Sequence, residues 1–123
     1  MDIVEEFEEL KPILQEKWLD FYFKNRGIII RYLTKENDLI ELGNLISILI
    51  SIEPKLLIII NNYMKVCDYL QIDKPSLYNL WVILEVDNNV NRLDKQVKER
   101  QEKMKNQIIE PPSPLDEFRN KNV

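Results

Sequence analysis

Between positions 39 and 60 the chain carries its strongest apolar stretch, and the Glu53-Pro54-Lys55 triplet inside it decides what the chain can fold into. The longest uninterrupted run, 45–52, contains two serines and falls well short of the roughly 20 apolar residues that a helix needs to cross a bilayer. The residue before a proline avoids the α region, so Pro54 ends one helix and can open another. The stretch therefore reads as two helices of a soluble core with no transmembrane segment.

The flanks carry the helical period as well. Ile3, Phe7, Leu10, Leu14, Trp18, Phe21, Tyr22, Ile29 and Tyr32 follow the i, i+3, i+4 spacing of one helix face, which predicts a helix over 4–33. Pro12 can instead mark where its regular part begins, and Gly27 is a place for a bend. Asp38, with Glu41 three residues on, has the pattern of an N-cap for a second helix over 39–52. A third helix is expected over 54–70. A fourth is expected with Asp73 as its cap and Pro75 in its first turn, and it carries Leu77, Leu80, Trp81 and Leu84. Asp87-Asn88-Asn89 is a candidate break before a charged helix reaching about 107, in which Glu99 and Lys103 are spaced to pair. Pro111-Pro112-Ser113-Pro114 stops all helix. The expectation is an all-α, single small bundle of four to five helices at 1–107, with a flexible, disordered tail at 108–123.

The missing residue types bound the chemistry. The 123-residue chain has no histidine, a single cysteine and two glycines. This removes the commonest general base, cysteine metal clusters, internal disulfides and a phosphate-cradling loop, so no metal, cofactor or catalytic residue is assigned and the chain is read as a non-enzyme. The net charge of −4 argues against nucleic acid, which calls for a concentrated basic surface. Charge is nonetheless polarised. Positions 1–10 carry Asp2, Glu5, Glu6, Glu8 and Glu9 with no base, while 92–105 carry Arg92, Lys95, Lys98, Arg100, Lys103 and Lys105 against Asp94, Glu99 and Glu102. The acidic N-terminus also lacks the positive region of a signal peptide, so a cytoplasmic location is expected.

Two constellations merit attention. Trp18, Tyr22, Asn25, Ile29 and Tyr32 share a stripe that can be an aromatic docking surface or simply core, and core is the commoner fate of such residues. If the first two helices pack antiparallel about 34–38, Glu53 comes near Lys17 and Trp18. It is then expected to accept a hydrogen bond from the Trp18 indole or from Lys17.

Lys17-Trp18-Leu19-x-x-Tyr22-x-x-Asn25-Arg26, followed by Ile52-Glu53-Pro54, resembles a cyanobacterial family of short proteins of unknown function. That family carries an early "KWLxYYxxNR" helix and then an apolar helix ending in "LEP". The stretch 83–88 corresponds loosely to the family's "LGLNFN", with Glu85 in place of the glycine and without the family's following proline. The likeness spans 7–90. It implies a helical cyanobacterial protein and puts Lys17, Trp18, Tyr22, Asn25, Arg26, Glu53 and Pro54 forward as structural or interaction residues. The functional expectation is an adaptor or assembly protein that meets a protein partner or a second copy. Peripheral membrane attachment through apolar surface and the basic helix is the alternative.

Overall fold

The computed structural model describes residues 2–109, with side chains through 105. The expected flexible tail lies outside the described residues from 110 onward. The described residues are all-α, with five α-helices among them: α1 (Ile3–Ile28), α2 (Leu42–Ile52), α3 (Lys55–Leu70), α4 (Leu77–Leu84) and α5 (Val90–Ile109). Contacts divide it into two compact units after Leu93, inside α5. In the first unit, α1 packs on α2, α3 and α4, and α2 packs on α3 and α4.

The apolar stripe makes α1 the spine of that unit. Phe7, Leu10, Leu14, Trp18 and Tyr22 are all buried. The Asp2 carboxylate accepts from the Val4 N–H at 3.1 Å and caps the first turn. Pro12 does not delay the start, since the helix runs through it. The bend expected near Gly27 falls at Asn25, whose φ of −121° and ψ of 20° leave the helical region. Its amide donates to the Phe21 carbonyl at 3.0 Å, so the side chain serves the backbone at the kink. A π turn, Ile29–Leu33, follows. A π turn holds more residues than an α turn, so it rotates what comes after it out of phase. Ile29 stays buried, but Tyr32 is 68% exposed, and the stripe does not reach it as expected.

The expected Asp38 cap is also overturned. Asn37 (φ 62°) and Asp38 (φ 57°) adopt left-handed backbone in a tight turn, and α2 begins only at Leu42. Lys35 N–H donates to the Leu39 carbonyl at 2.9 Å and Glu41 N–H to the Leu33 carbonyl at 3.3 Å, so the segment is a miniature β-hairpin. Two consecutive positive-φ residues suit the turns that match strand twist, and Asn and Asp tolerate them better than other side chains. An Asp in that conformation cannot also be an extended N-cap.

Pro54 separates α2 from α3 as expected, and their axes turn by 116°. Among the described residues no single helix is long and apolar enough to cross a membrane, although the bent α2–α3 pair has the length and composition together. Leu45, Leu49, Leu56 and Cys67 are fully buried along this pair, and the Phe7 ring meets Tyr63 of α3 edge-on at 6.0 Å. The fourth helix is capped by Ser76, not Asp73. Asn79 N–H donates to the Ser76 hydroxyl at 3.2 Å, and Ser76 N–H donates back to the Asn79 side chain at 3.1 Å. Pro75 thus precedes the cap and lies outside the first turn. On α5, Glu99 and Lys103 form no ion pair.

Candidate functional site: a tethered connector and the trough beside it

The connector 85–89 between α4 and α5 is where the bundle gathers its long-range polar contacts. Gln15 donates its amide to the Glu85 carbonyl at 3.0 Å, and the Trp18 indole N–H donates to the Asp87 carbonyl at 2.9 Å. The Trp81 indole N–H donates to the Val86 carbonyl, and the Tyr22 hydroxyl reaches the Val90 carbonyl at 3.5 Å. Asn88 and Ile40 are paired twice. Ile40 N–H donates to the Asn88 carbonyl at 2.9 Å, and the Asn88 amide donates to the Ile40 carbonyl at 3.0 Å. Leu93 N–H donates to the Asn89 carbonyl at 2.9 Å. Every carbonyl from 85 to 90 therefore has a donor, which is how an irregular segment can sit against a core without orphaned polar groups.

Charge completes the tether. Arg92 Nε lies 3.0 Å and 2.8 Å from the two Asp87 carboxylate oxygens. This hydrogen bond first, and then the Coulombic attraction, raises the Arg92 pKa above its ordinary value. Lys11 bridges Glu8 at 2.8 Å and Glu85 at 3.7 Å; the hydrogen bond to Glu8 is the main reason that its pKa is raised.

Tethering the connector to the hairpin opens a trough of about 850 Å³ between the hairpin, α4 and the start of α5. Leu39, Leu42, Tyr78 and Trp81 supply apolar wall, with Lys35, Glu41 and Arg92 at the rim. The Tyr78 and Trp81 rings lie 5.8 Å apart at 54°. Lys35 pairs with Glu41 at 3.0 Å. Lys35, Glu41 and Arg92 are therefore partnered, while Glu36, which also lines the trough, is in no ion pair among the described residues. Of the trough's aromatics Tyr78 is 60% exposed, and between the end of α3 and the start of α4 Tyr69 (87%), Ile72 (54%) and Leu77 (48%) are exposed as well.

Of the residues singled out from the sequence, Trp18 and Tyr22 tether the connector, and none lines the trough. Trp18 and Tyr22 are buried and face the core, Asn25 is half-buried at the kink, and Arg26 and Pro54 are exposed. Glu53 is only 6% exposed and accepts from Lys17 Nζ at 3.2 Å. The expected Glu53–Lys17 contact is present, while the Trp18 indole goes to Asp87 instead. Trp81, Asn88, Gln15 and the Asn37-Asp38 turn were not singled out for these roles. The sequence marks Asn88 only through the helix break at 87–89, Trp81 only as an apolar position of α4 and Asp38 only as a cap. Among the described residues no group of three His, Cys, Asp or Glu side chains is arranged to hold a metal ion. Compared with known proteins, the chain matches no family model, no curated protein and no solved structure.

Proposed function

We propose that this chain is a non-enzymatic, cytoplasmic adaptor or assembly protein, and that a partner protein's apolar segment docks on the trough and on the exposed Tyr78 and Tyr69. The carrying observation is the Tyr78–Trp81 pair in an open trough whose walls are pinned by hydrogen bonds from the Trp81 and Asn88 side chains to backbone carbonyls. Trp, Tyr and Arg dominate binding hot spots, because large rigid side chains cover area at little entropic cost. A pre-pinned wall lowers the ordering cost of binding further. The relation to the cyanobacterial family remains part of this proposal. Glu85 supports it, because its backbone (φ 53°, ψ 40°) is the left-handed conformation that favours the glycine in the family motif.

The test compares the native chain with Tyr69→Ser/Tyr78→Ser in affinity capture from cyanobacterial lysate, followed by titration of the recovered partner. Both tyrosines are exposed, so folding stability should change by no more than about 0.5 kcal/mol each. Affinity should fall by about tenfold or more. Equal capture by both chains would overturn the reading.

Peripheral membrane attachment is the second reading, favoured by the exposed Leu57 (44%) and Ile58 (60%) on α3. It predicts flotation with anionic liposomes that weakens as salt rises.

A further inference from the structure

The charges around the trough bear on what kind of segment fits it. Besides Glu36, the charged side chains lining it are Lys35, Glu41 and Arg92, and all three are in ion pairs. Lys35 meets Glu41 at 3.0 Å, and Arg92 meets Asp87 at 2.8 Å. The Trp81 indole N–H and the Asn88 amide are engaged as well, each by a backbone carbonyl. Glu36 is different. It is exposed, lines the trough and is in no ion pair among the described residues. Tyr78 and Trp81 add two ring faces 5.8 Å apart at 54°, and the bond to the Val86 carbonyl holds the indole in place. An aromatic face carries negative potential and attracts a cation, most often the guanidinium of arginine, which also stacks on the ring. The unpaired carboxylate and the ring faces therefore favour the same sign of charge.

We propose that the partner segment docked in the trough carries an arginine among its apolar residues, seated against the Tyr78 and Trp81 rings with its charge towards Glu36. This rests on the trough being the docking site and adds the chemistry of its occupant. Leu39 and Leu42 are apolar wall for the segment's own apolar side chains. The aliphatic stem of an arginine packs along such a wall while its planar head serves ring and carboxylate together. Lysine brings the charge without the plane and is the weaker substitute. A segment with an acid at this place meets Glu36 as a like charge, and a wholly apolar one covers the carboxylate without pairing it, which is unfavourable.

The experiment selects random peptides displayed on phage against the full chain and counter-screens them on Tyr78→Ser. Peptides that bind the native chain and not the variant should share an arginine beside apolar residues. The tightest of them, synthesised, is then titrated against the native chain, Glu36→Gln and Glu36→Lys. Binding should weaken by about threefold or more in Glu36→Gln and by at least about tenfold in Glu36→Lys. It should also weaken as salt rises, and replacing the peptide's arginine by lysine should recover only part of the affinity that replacement by methionine removes. Tyr78 and Glu36 are exposed, and circular dichroism confirms that each variant folds. Tyr78-dependent peptides without a shared arginine overturn the proposal and leave the trough as the docking site. Equal binding to the native chain and Glu36→Gln does the same. Peptides that bind Tyr78→Ser as tightly as the native chain, or a selection that enriches none, overturn the docking site itself and this proposal with it.

Discussion

Two connectors flank α4 and begin in the same way. Gln71 after α3 (φ 55°) and Glu85 after α4 (φ 53°) both take left-handed backbone and donate their N–H groups back into the helix they end. This is a common way to terminate a helix, usually with glycine in that place. From there they diverge. The 85–89 connector is tied to α1 by Gln15 and Trp18 and to the hairpin by Asn88, all bonds between residues far apart in sequence, and to α4 by the nearby Trp81. The 71–76 connector is held by the Ile72 N–H on Cys67, the Lys74–Asp68 pair and the Ser76 cap, all local to α3 and α4. Around the second, Tyr69, Leu70, Ile72 and Leu77 stay exposed. One connector fixes the architecture, and the other leaves apolar surface for something else to cover.

The comparison breaks if the tethers of the first connector prove dispensable. Trp18→Ala removes a buried indole and leaves the Asp87 carbonyl without its donor, and should cost about 3–5 kcal/mol. Asn88→Ala removes the amide that serves Ile40 and should cost about 1–3 kcal/mol. Urea denaturation measures both. Losses below those of an ordinary surface substitution would show that the connector is held by packing alone.

This division was only half legible in the sequence. The helices were readable because the period of Phe7, Leu10, Leu14 and Trp18 and the Pro54 break are local signals, and local signals decide helix existence. What went unread depends on partners distant in the chain. Asp38 has the composition of a cap, but the pairing of Ile40 with Asn88 draws the segment into a hairpin instead. Tyr32 belongs to the stripe by count, yet the π turn shifts the phase. Asp73 and Ser76 are both good caps in isolation, and only the reciprocal bond from Asn79 selects Ser76. The trough was invisible for the same reason, since it exists only once 85–89 and the hairpin meet.

Glycine substitutions sharpen the comparison at the point where the connectors are alike. A left-handed conformation costs a non-glycine residue about 1–2 kcal/mol, part of which glycine gives back through its freer unfolded chain. Gln71→Gly and Glu85→Gly should therefore each stabilise the protein by about 0.5–1 kcal/mol, read as a higher urea midpoint. If only Gln71→Gly stabilises, the Glu85 side chain contributes to its tether.

That contribution can be isolated through Lys11, which lies between Glu8 and Glu85. The Glu8 hydrogen bond raises the Lys11 pKa above its ordinary 10.5, so the folded chain holds this proton more tightly than the unfolded one. The stabilisation is then fully present below the ordinary value and is lost as pH rises through the raised one. In urea titrations Lys11→Met should be slightly less stable than the native chain near neutral pH, and the gap should close above pH 10.5. The effect is the smallest of the set, because exposed ion pairs are well screened. Repeating the pair of measurements in a Glu85→Gln background separates the two partners. An unchanged gap assigns the effect to Glu8 and leaves the connector to its hydrogen bonds, whereas a gap that halves makes the Lys11–Glu85 pair a further tether.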